Sequence, residues 1–307
     1  MTVSREQAAA RQFKEDAPGI MERCSVCAIG VPRRYGEQEW DIGGSKFRLA
    51  VCASCGSVFT DPLPDDAALD NLYEHNFDYR WYQDHYEAKL CDSRIRVNEY
   101  RDTMGSRVLD FGGGLGYFSA ACQEQGFESR TFDPFYDEDS ESDRGWDTVV
   151  ALHVLEHANN LDALVDRMKG LLKPGGNVIL AVPNLRSRGY QQLGMEWVWA
   201  QPPLLHIFHF TAAGLRALLT RHGFRDLRIS YHERWDANLY TDLEHVDRFR
   251  KLDAAWSRRP LAFLPLYRRK IARRNASERF QGLEQAMKGF DPARDIYAEL
   301  QVIATAP

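Results

Sequence analysis

The chain has 307 residues, 44% of them hydrophobic and 27% charged, with a net charge of −5 and a sequence pI near 6.0. That balance belongs to a folded globular protein and excludes disordered, collagen-like and strongly basic nucleic-acid-coating classes. The opening residues MTVSREQAAARQFKED carry no apolar core of the signal-peptide kind, and no run of about 18 apolar residues occurs. The expected location is therefore cytoplasmic, with no transmembrane segment and no stable nucleic-acid partner.

Residues 1–20 read as a polar arm, and residues 1–64 together as an arm with a small metal module. Cys24-x-x-Cys27 is followed, after 24 intervening residues, by Cys52-x-x-Cys55. Two matched pairs at this separation fit a four-thiolate zinc ribbon better than a redox dithiol or buried free thiols. With all four ligand places filled by Cys24, Cys27, Cys52 and Cys55, the zinc ion is expected to be structural, because no place is open for water. The spacer holds β-like pieces such as residues 46–51. Cys91 and Cys122 read as small buried hydrophobes.

Asp61-Pro62-Leu63-Pro64 interrupts regular structure. Residues 65–104 have helical spacing with many aromatics, which is usually packing. As a helical linker or lid ahead of the next domain, they offer Tyr79, Tyr82 and His85 as candidate substrate contacts.

From residue 105 to 307, strands and helices alternate. The expected strands are 107–111, 128–132, 148–152, 177–182, 227–231 and 296–304. The expected helices are 117–125, 160–172 and 211–222, the last starting on a Thr cap. Lys173-Pro174-Gly175-Gly176 reads as a turn. Such alternation predicts an α/β, Rossmann-like, doubly wound and mostly parallel sheet whose ligands bind beyond the carboxyl ends of the strands. Residues 233–295 form an expected helical insertion. Ten Lys or Arg residues against one acid, Asp253, lie between Arg248 and Arg274. This basic stretch reads first as a solvated helical face or a homodimer contact, and second as a site for an anionic substrate or membrane surface.

The densest signal is Val108-Leu109-Asp110-Phe111-Gly112-Gly113-Gly114-Leu115-Gly116. An apolar strand ends in an acid and runs into a turn whose alternate glycines let the backbone fold tightly or lie against a ligand. A nicotinamide dinucleotide fold needs G-x-G-x-x-G, but its third glycine falls on Tyr117 or Ser119 here. Asp133 stands at the end of the next strand, where a carboxylate can accept hydrogen bonds from ribose hydroxyls.

The glycine loop, Asp133, Trp146–His157, Leu171–Gly176 with Val182-Pro183-Asn184, and His206–Thr211 resemble, together, the motifs of class I S-adenosylmethionine-dependent methyltransferases. The resemblance covers roughly residues 105–232 and the last strand. It implies S-adenosylmethionine as cofactor, with Asp110, Gly112, Gly114 and Gly116 lining its methionine side and Asp133 its ribose. The ribbon ahead of the domain resembles a subset acting on sugars and other small metabolites, including sugar C-methyltransferases. One departure stands out. Only about a dozen residues separate Asp133 from Trp146, where the family has a helix and a third strand ending in an adenine-binding acid.

Methyl transfer from a sulfonium requires positioning of the acceptor and, for some acceptors, removal of a proton. His157 is the expected base or acceptor-orienting group, with Glu156 and His153 beside it; the plainer reading is that Glu156-His157 fixes the start of the next helix. His206 and His209 are candidate substrate contacts or packing histidines. His153, Glu156 and His157, together with His206 or His209, also supply imidazole and carboxylate groups able to hold a divalent cation. The expected function is methyl transfer to a small molecule: a sugar, nucleotide sugar or natural-product intermediate, at oxygen ahead of carbon. The alternatives are a methyltransferase acting on RNA or protein, and a non-catalytic cofactor-binding scaffold.

Overall fold

The computed structural model describes residues 21–42, 44–69, 83, 86–133, 144–193, 197, 199–200, 205–232 and 298–307. Tyr79, Tyr82, His85, the N-terminal arm, the acid-rich segment after Asp133 and the basic insertion lie outside them.

Two sheets organise the chain. The first is antiparallel and joins β1 (Pro32–Ile42), β2 (Ser45–Cys52), β3 (Val58–Asp61) and β8 (Phe208–His209) in that order. The second has six strands in the order β5 (Glu128–Phe132), β4 (Arg107–Phe111), β6 (Trp146–Leu152), β7 (Leu172–Pro183), β10 (Glu299–Thr305) and β9 (Arg225–His232). β5, β4, β6 and β7 pair in parallel, while β10 runs antiparallel to both its neighbours. The helices are α1 (Tyr86–Tyr100), α2 (Tyr117–Glu124), α3 (Leu161–Leu171), α4 (Arg188–Leu193) and α5 (Ala212–Arg221). This is the expected doubly wound α/β sheet, with the ribbon ahead of it. Among the described residues β5 is one edge of this sheet and β9 the other. Among them, too, no helix is long and apolar enough to cross a membrane.

Covering on both faces explains why the central strands lack polar–apolar alternation. Val149, Val150 and Ala151 of β6 and Val178–Val182 of β7 are all fully buried. Each such aliphatic side chain contributes about 1.5–3 kcal/mol relative to exposure. The helix starts follow capping chemistry. Asn160 accepts a hydrogen bond from the Ala163 amide and Thr211 from the Gly214 amide, both at 3.0 Å.

The largest departure from expectation in the main sheet is β7, which begins at Leu172 and runs through the stretch expected to turn. Gly175 takes φ +73° there, and the pairing with β6 slips between Trp146 and Thr148. The irregularity stays inside a strand because Trp146 pairs with Leu172 before the slip.

Asp147 fastens this end of the sheet. Its carboxylate accepts from the Arg107 amide at 2.9 Å and the Ser106 hydroxyl at 3.0 Å, and it is ion-paired with Lys173. Those partners, Lys173 first, hold its pKa down at about 2. A depressed folded pKa gives stability that is present above the unfolded value near 4 and lost as pH falls toward 2. Asp147→Asn should lower unfolding free energy by about 1–2 kcal/mol at pH 7, discounted for the half-exposed lysine, and by nearly nothing at pH 2. Denaturant melts at both pH values check this.

Candidate active site and four-cysteine cluster

The glycine loop lies between β4 and α2. Gly112, Gly114 and Gly116 adopt φ of +70°, +55° and +77°, a region that side-chain-bearing residues rarely occupy. At Gly112 a Cβ would meet Val154 at 2.7 Å, and at Gly116 it would meet the Thr131 hydroxyl at 2.8 Å. Nothing lies within 4 Å of the corresponding position at Gly114, so bare backbone there borders open space. Asp110 is buried beneath the loop. Its Oδ2 accepts from the Ser119 amide at 3.2 Å, and a Cβ on Gly113 would come within 2.2 Å of it. Burial first, and the charge of Asp133 second, push the Asp110 carboxyl up to about 7. Asp133 is also buried, at the end of β5, and accepts from the Gly114 amide at 2.8 Å. The two acids therefore hold the loop from below and from the side.

Beyond β6 the chain makes a short 3₁₀ turn, Leu155–His157. His153 enters it with φ +56°. Its Nδ1 lies 3.2 Å from Glu156 Oε1 and its Nε2 3.0 Å from Glu299 Oε2, and its ring stacks on Trp199 with centroids 5.2 Å apart. Burial opposes protonation of His153, but the two carboxylates outweigh it and raise the imidazole to about 9. Glu299 is in turn gripped by both Nη atoms of Arg96, at 3.2 and 2.8 Å, and by Gln301 at 2.7 Å. His153 is thus a fixed cation between carboxylates, suited to positioning its neighbours.

Glu156 is fully buried; Oε2 has no hydrogen-bond partner within the described residues. Burial resists its ionisation most, yet the His153 hydrogen bond and the surrounding imidazoles keep its carboxyl below the usual range. His157 stacks edge-on to His206 with centroids 4.8 Å apart. Both rings are tied to main-chain carbonyls: His157 Nδ1 to Leu205 at 2.6 Å and His206 Nδ1 to Trp199 at 2.6 Å. Burial pushes His206 down to about 3, helped by the neighbouring His157, and His209 down to about 4. His209 sits in β8 opposite Val58, with a buried Nε2 that has no partner among the described residues. The structure therefore gathers Glu156, His157 and His206 at one point and places His209 beside them. Glu299 and Arg96 belong to the same network without having drawn notice in the sequence. They lie 146 and 57 residues from His153, and no local spacing links them to it.

The four cysteines form a second centre. Cys24, Cys27, Cys52 and Cys55 are all buried, with their sulfurs within 4.8 Å of one another. Cys24 Sγ to Cys55 Sγ is 3.8 Å and Cys27 Sγ to Cys52 Sγ is 3.6 Å. Four thiolates at about 2.3 Å from a tetrahedral zinc ion lie roughly 3.8 Å apart, so the donor set fits that ion. Backbone amides of Val26, Gly30, Ser54 and Cys55 point at the sulfurs from 3.3–3.5 Å. The cluster is joined to the main sheet. Thr211 Oγ1 donates to Cys55 O at 2.5 Å, and Arg221 donates to the carbonyls of Val26 and Ser25 at 3.2 and 3.1 Å.

Residues 82–229, just under half of the chain, match the family model described as a methyltransferase domain. The sheet order and the glycine loop agree with the resemblance to class I S-adenosylmethionine-dependent methyltransferases. Among curated proteins the domain is similar to a ubiquinone biosynthesis O-methyltransferase of Rickettsia felis (24% identical; 31% of this chain, 48% of the relative). A second match is the mitochondrial ubiquinone biosynthesis O-methyltransferase of Dictyostelium discoideum (30%; 24% and 23%). A third is the highly reducing polyketide synthase ltbA of Aspergillus luteorubrus (27%; 46% and 4%). The chain thus spans less than half the length of each of these relatives. A solved S-adenosylmethionine-dependent methyltransferase from Archaeoglobus fulgidus aligns at 18% identity over 74% of this chain and 100% of that one, with a TM-score of 0.45.

Proposed function

We propose that the protein transfers a methyl group from S-adenosylmethionine to a small-molecule acceptor in the cytoplasm, at oxygen ahead of carbon. The acceptor class is a sugar, nucleotide sugar or natural-product intermediate. The observation that carries the reading is the loop between Asp110 and Asp133. Three left-handed glycines bring bare backbone to open space at Gly114, with a carboxylate on each side. A cofactor with a cationic methionine end and a ribose fits that cradle. The ubiquinone O-methyltransferase relatives favour oxygen as the acceptor atom.

In this reading the bound cofactor supplies an electrophilic methyl group. The protein supplies position and proton control. Asp110 shapes the loop, Asp133 accepts from the ribose, and His157 orients the acceptor or takes its proton. His153 is held by Glu156 and Glu299 and fixes the Glu156 carboxylate beside His157. A cavity of about 530 Å³ between the ribbon and the main domain is lined by Tyr35, Val58, Asn184, Arg186, Tyr190 and Tyr231, among others. Its aromatic walls and polar groups are of the kind a sugar-sized molecule would use, but neither the glycine loop nor His157 lines it. The four-cysteine cluster would hold zinc as a structural ion in a ribbon module spanning residues 1–64.

Calorimetric titration with S-adenosylhomocysteine, with NAD as comparison, tests the reading. Micromolar binding of the first alone is expected. Binding of NAD alone, or of neither, overturns it.

A further inference from the structure

We propose that Glu156, His157 and His206 form a second metal site, for a divalent transition ion held by two imidazoles and one carboxylate. Their candidate ligand atoms all lie within 4.8 Å of one another. Three features of the site argue for a ligand.

First, Glu156 Oε2 is completely buried and has no partner among the described residues, while Oε1 is already taken by His153. A buried carboxylate oxygen without a donor is costly, so natural structures rarely keep one. Secondly, both imidazoles are committed at the same nitrogen. A main-chain carbonyl can only accept, so the 2.6 Å contacts to Leu205 O and Trp199 O place the proton on Nδ1 of each ring. Each Nε2 is then left with a lone pair. Metal-binding histidines are typically oriented in this way, by the other ring N–H on a carbonyl or carboxylate. Thirdly, the two segments are pinned together: the Ile207 amide donates to Glu156 O at 2.7 Å. An ion of this kind takes such donors at roughly 2.0–2.2 Å.

Two imidazoles and one carboxylate suit zinc, iron(II), cobalt(II) or manganese(II) over calcium or magnesium, which prefer oxygen. Only three protein groups are supplied, so coordination places remain for outside ligands. His157 is the most accessible of the three. Resting on the methyl-transfer reading above, those places would hold the acceptor oxygen close to the turn that follows β6, and His157, with Nε2 on the ion, would then orient the acceptor rather than take its proton. His153 is not a ligand, since both its nitrogens are engaged by Glu156 and Glu299.

The test uses the full chain with its cysteine cluster loaded with zinc, titrated with cobalt(II) and followed by calorimetry and visible absorption. One saturable cobalt site is expected, with the weak d–d bands of nitrogen and oxygen ligation and no thiolate charge-transfer band. Glu156→Gln and the more exposed His157→Asn should each weaken it by at least about tenfold, with circular dichroism unchanged. Absence of a saturable site in the wild type overturns the proposal, whatever the variants do. So does undiminished binding in both folded variants, or a thiolate band. S-adenosylhomocysteine affinity is measured on the same samples. Loss of cofactor binding with cobalt binding intact defeats the methyl-transfer reading alone, and the reverse defeats only the metal site.

Discussion

Affinity for S-adenosylhomocysteine should fall about tenfold per pH unit below pH 7, and Asp110→Asn should flatten that profile while lowering affinity at pH 8 by roughly 10- to 100-fold. The argument starts from Asp110 as it stands without cofactor, buried under the loop with its carboxyl pushed up to about 7. The cofactor's ammonium group brings positive charge to the same loop and favours the ionised carboxylate. Below pH 7 binding must therefore expel a proton, which weakens it by one power of ten per unit. Above pH 7 no proton is released and affinity levels off. Folding stability moves the other way. A raised folded pKa means that the native state is favoured at low pH and loses that advantage between the unfolded value near 4 and about 7. The amide variant keeps the shape and an acceptor for the Ser119 amide, but not the charge; hydrogen bonds to charged groups are worth about 1.5–3 kcal/mol. Calorimetry from pH 5.5 to 8.5 decides the matter. A flat wild-type profile would mean that Asp110 does not respond to the cofactor's charge.

That loop was also the most legible part of the sequence. β4 and β5 fall on residues 107–111 and 128–132 as expected, because each is a short strand running into a residue pattern that cannot continue it. The three helices expected at 117–125, 160–172 and 211–222 agree to within a residue or two at their ends, the last two because Asn160 and Thr211 are capping residues ahead of amphipathic runs. β8 carried no such signal. Two residues have no periodicity, and Phe208–His209 is a strand only because β3 supplies the partner. The Lys173–Gly176 stretch misled for the opposite reason: its composition is that of a turn, but Leu172 and Asn177 on either side of it both pair with β6, so β7 runs through it as an irregularity. At the candidate site the turn residues His153, Glu156 and His157 could be read from local spacing. The lock on His153 could not, since Glu299 comes from the last strand and Arg96 from α1, ahead of β4. Long-range electrostatics of this sort leaves no trace in a window of neighbouring residues.

Removing metal from the cysteine cluster should disturb more than the ribbon, and the disturbance should reach the turn at Glu156. A freestanding ribbon would unfold residues 21–60 and spare the rest. Here Cys24, Val26, Cys27 and Cys55 share one hydrophobic cluster with Leu215, Leu218 and Phe224 of the main domain. Thr211 and Arg221 hold the cysteine knuckles from α5, and Gly214 is packed so closely that a Cβ would lie 2.1 Å from the Ser57 hydroxyl. β3 continues the path: the Thr60 amide donates to Ile207 O, and the Ile207 amide to Glu156 O. Thiolates released from an ion are buried like charges, which must protonate or move apart. Chelation, or Cys24→Ser, should therefore speed hydrogen exchange in residues 24–61 and also at Ile207 and Leu215. Val108 and Val150, which belong to the other hydrophobic cluster of the sheet, should stay protected. A loss of several kcal/mol would lower the melting midpoint by about 2–4 °C per kcal/mol in a domain of this size. Exchange confined to the ribbon would show that the contacts with α5 and β8 carry no coupling. Exchange that spreads to Ile207 would instead make the four-cysteine cluster a support for the candidate active site, since the segment that it steadies is the one that carries His206.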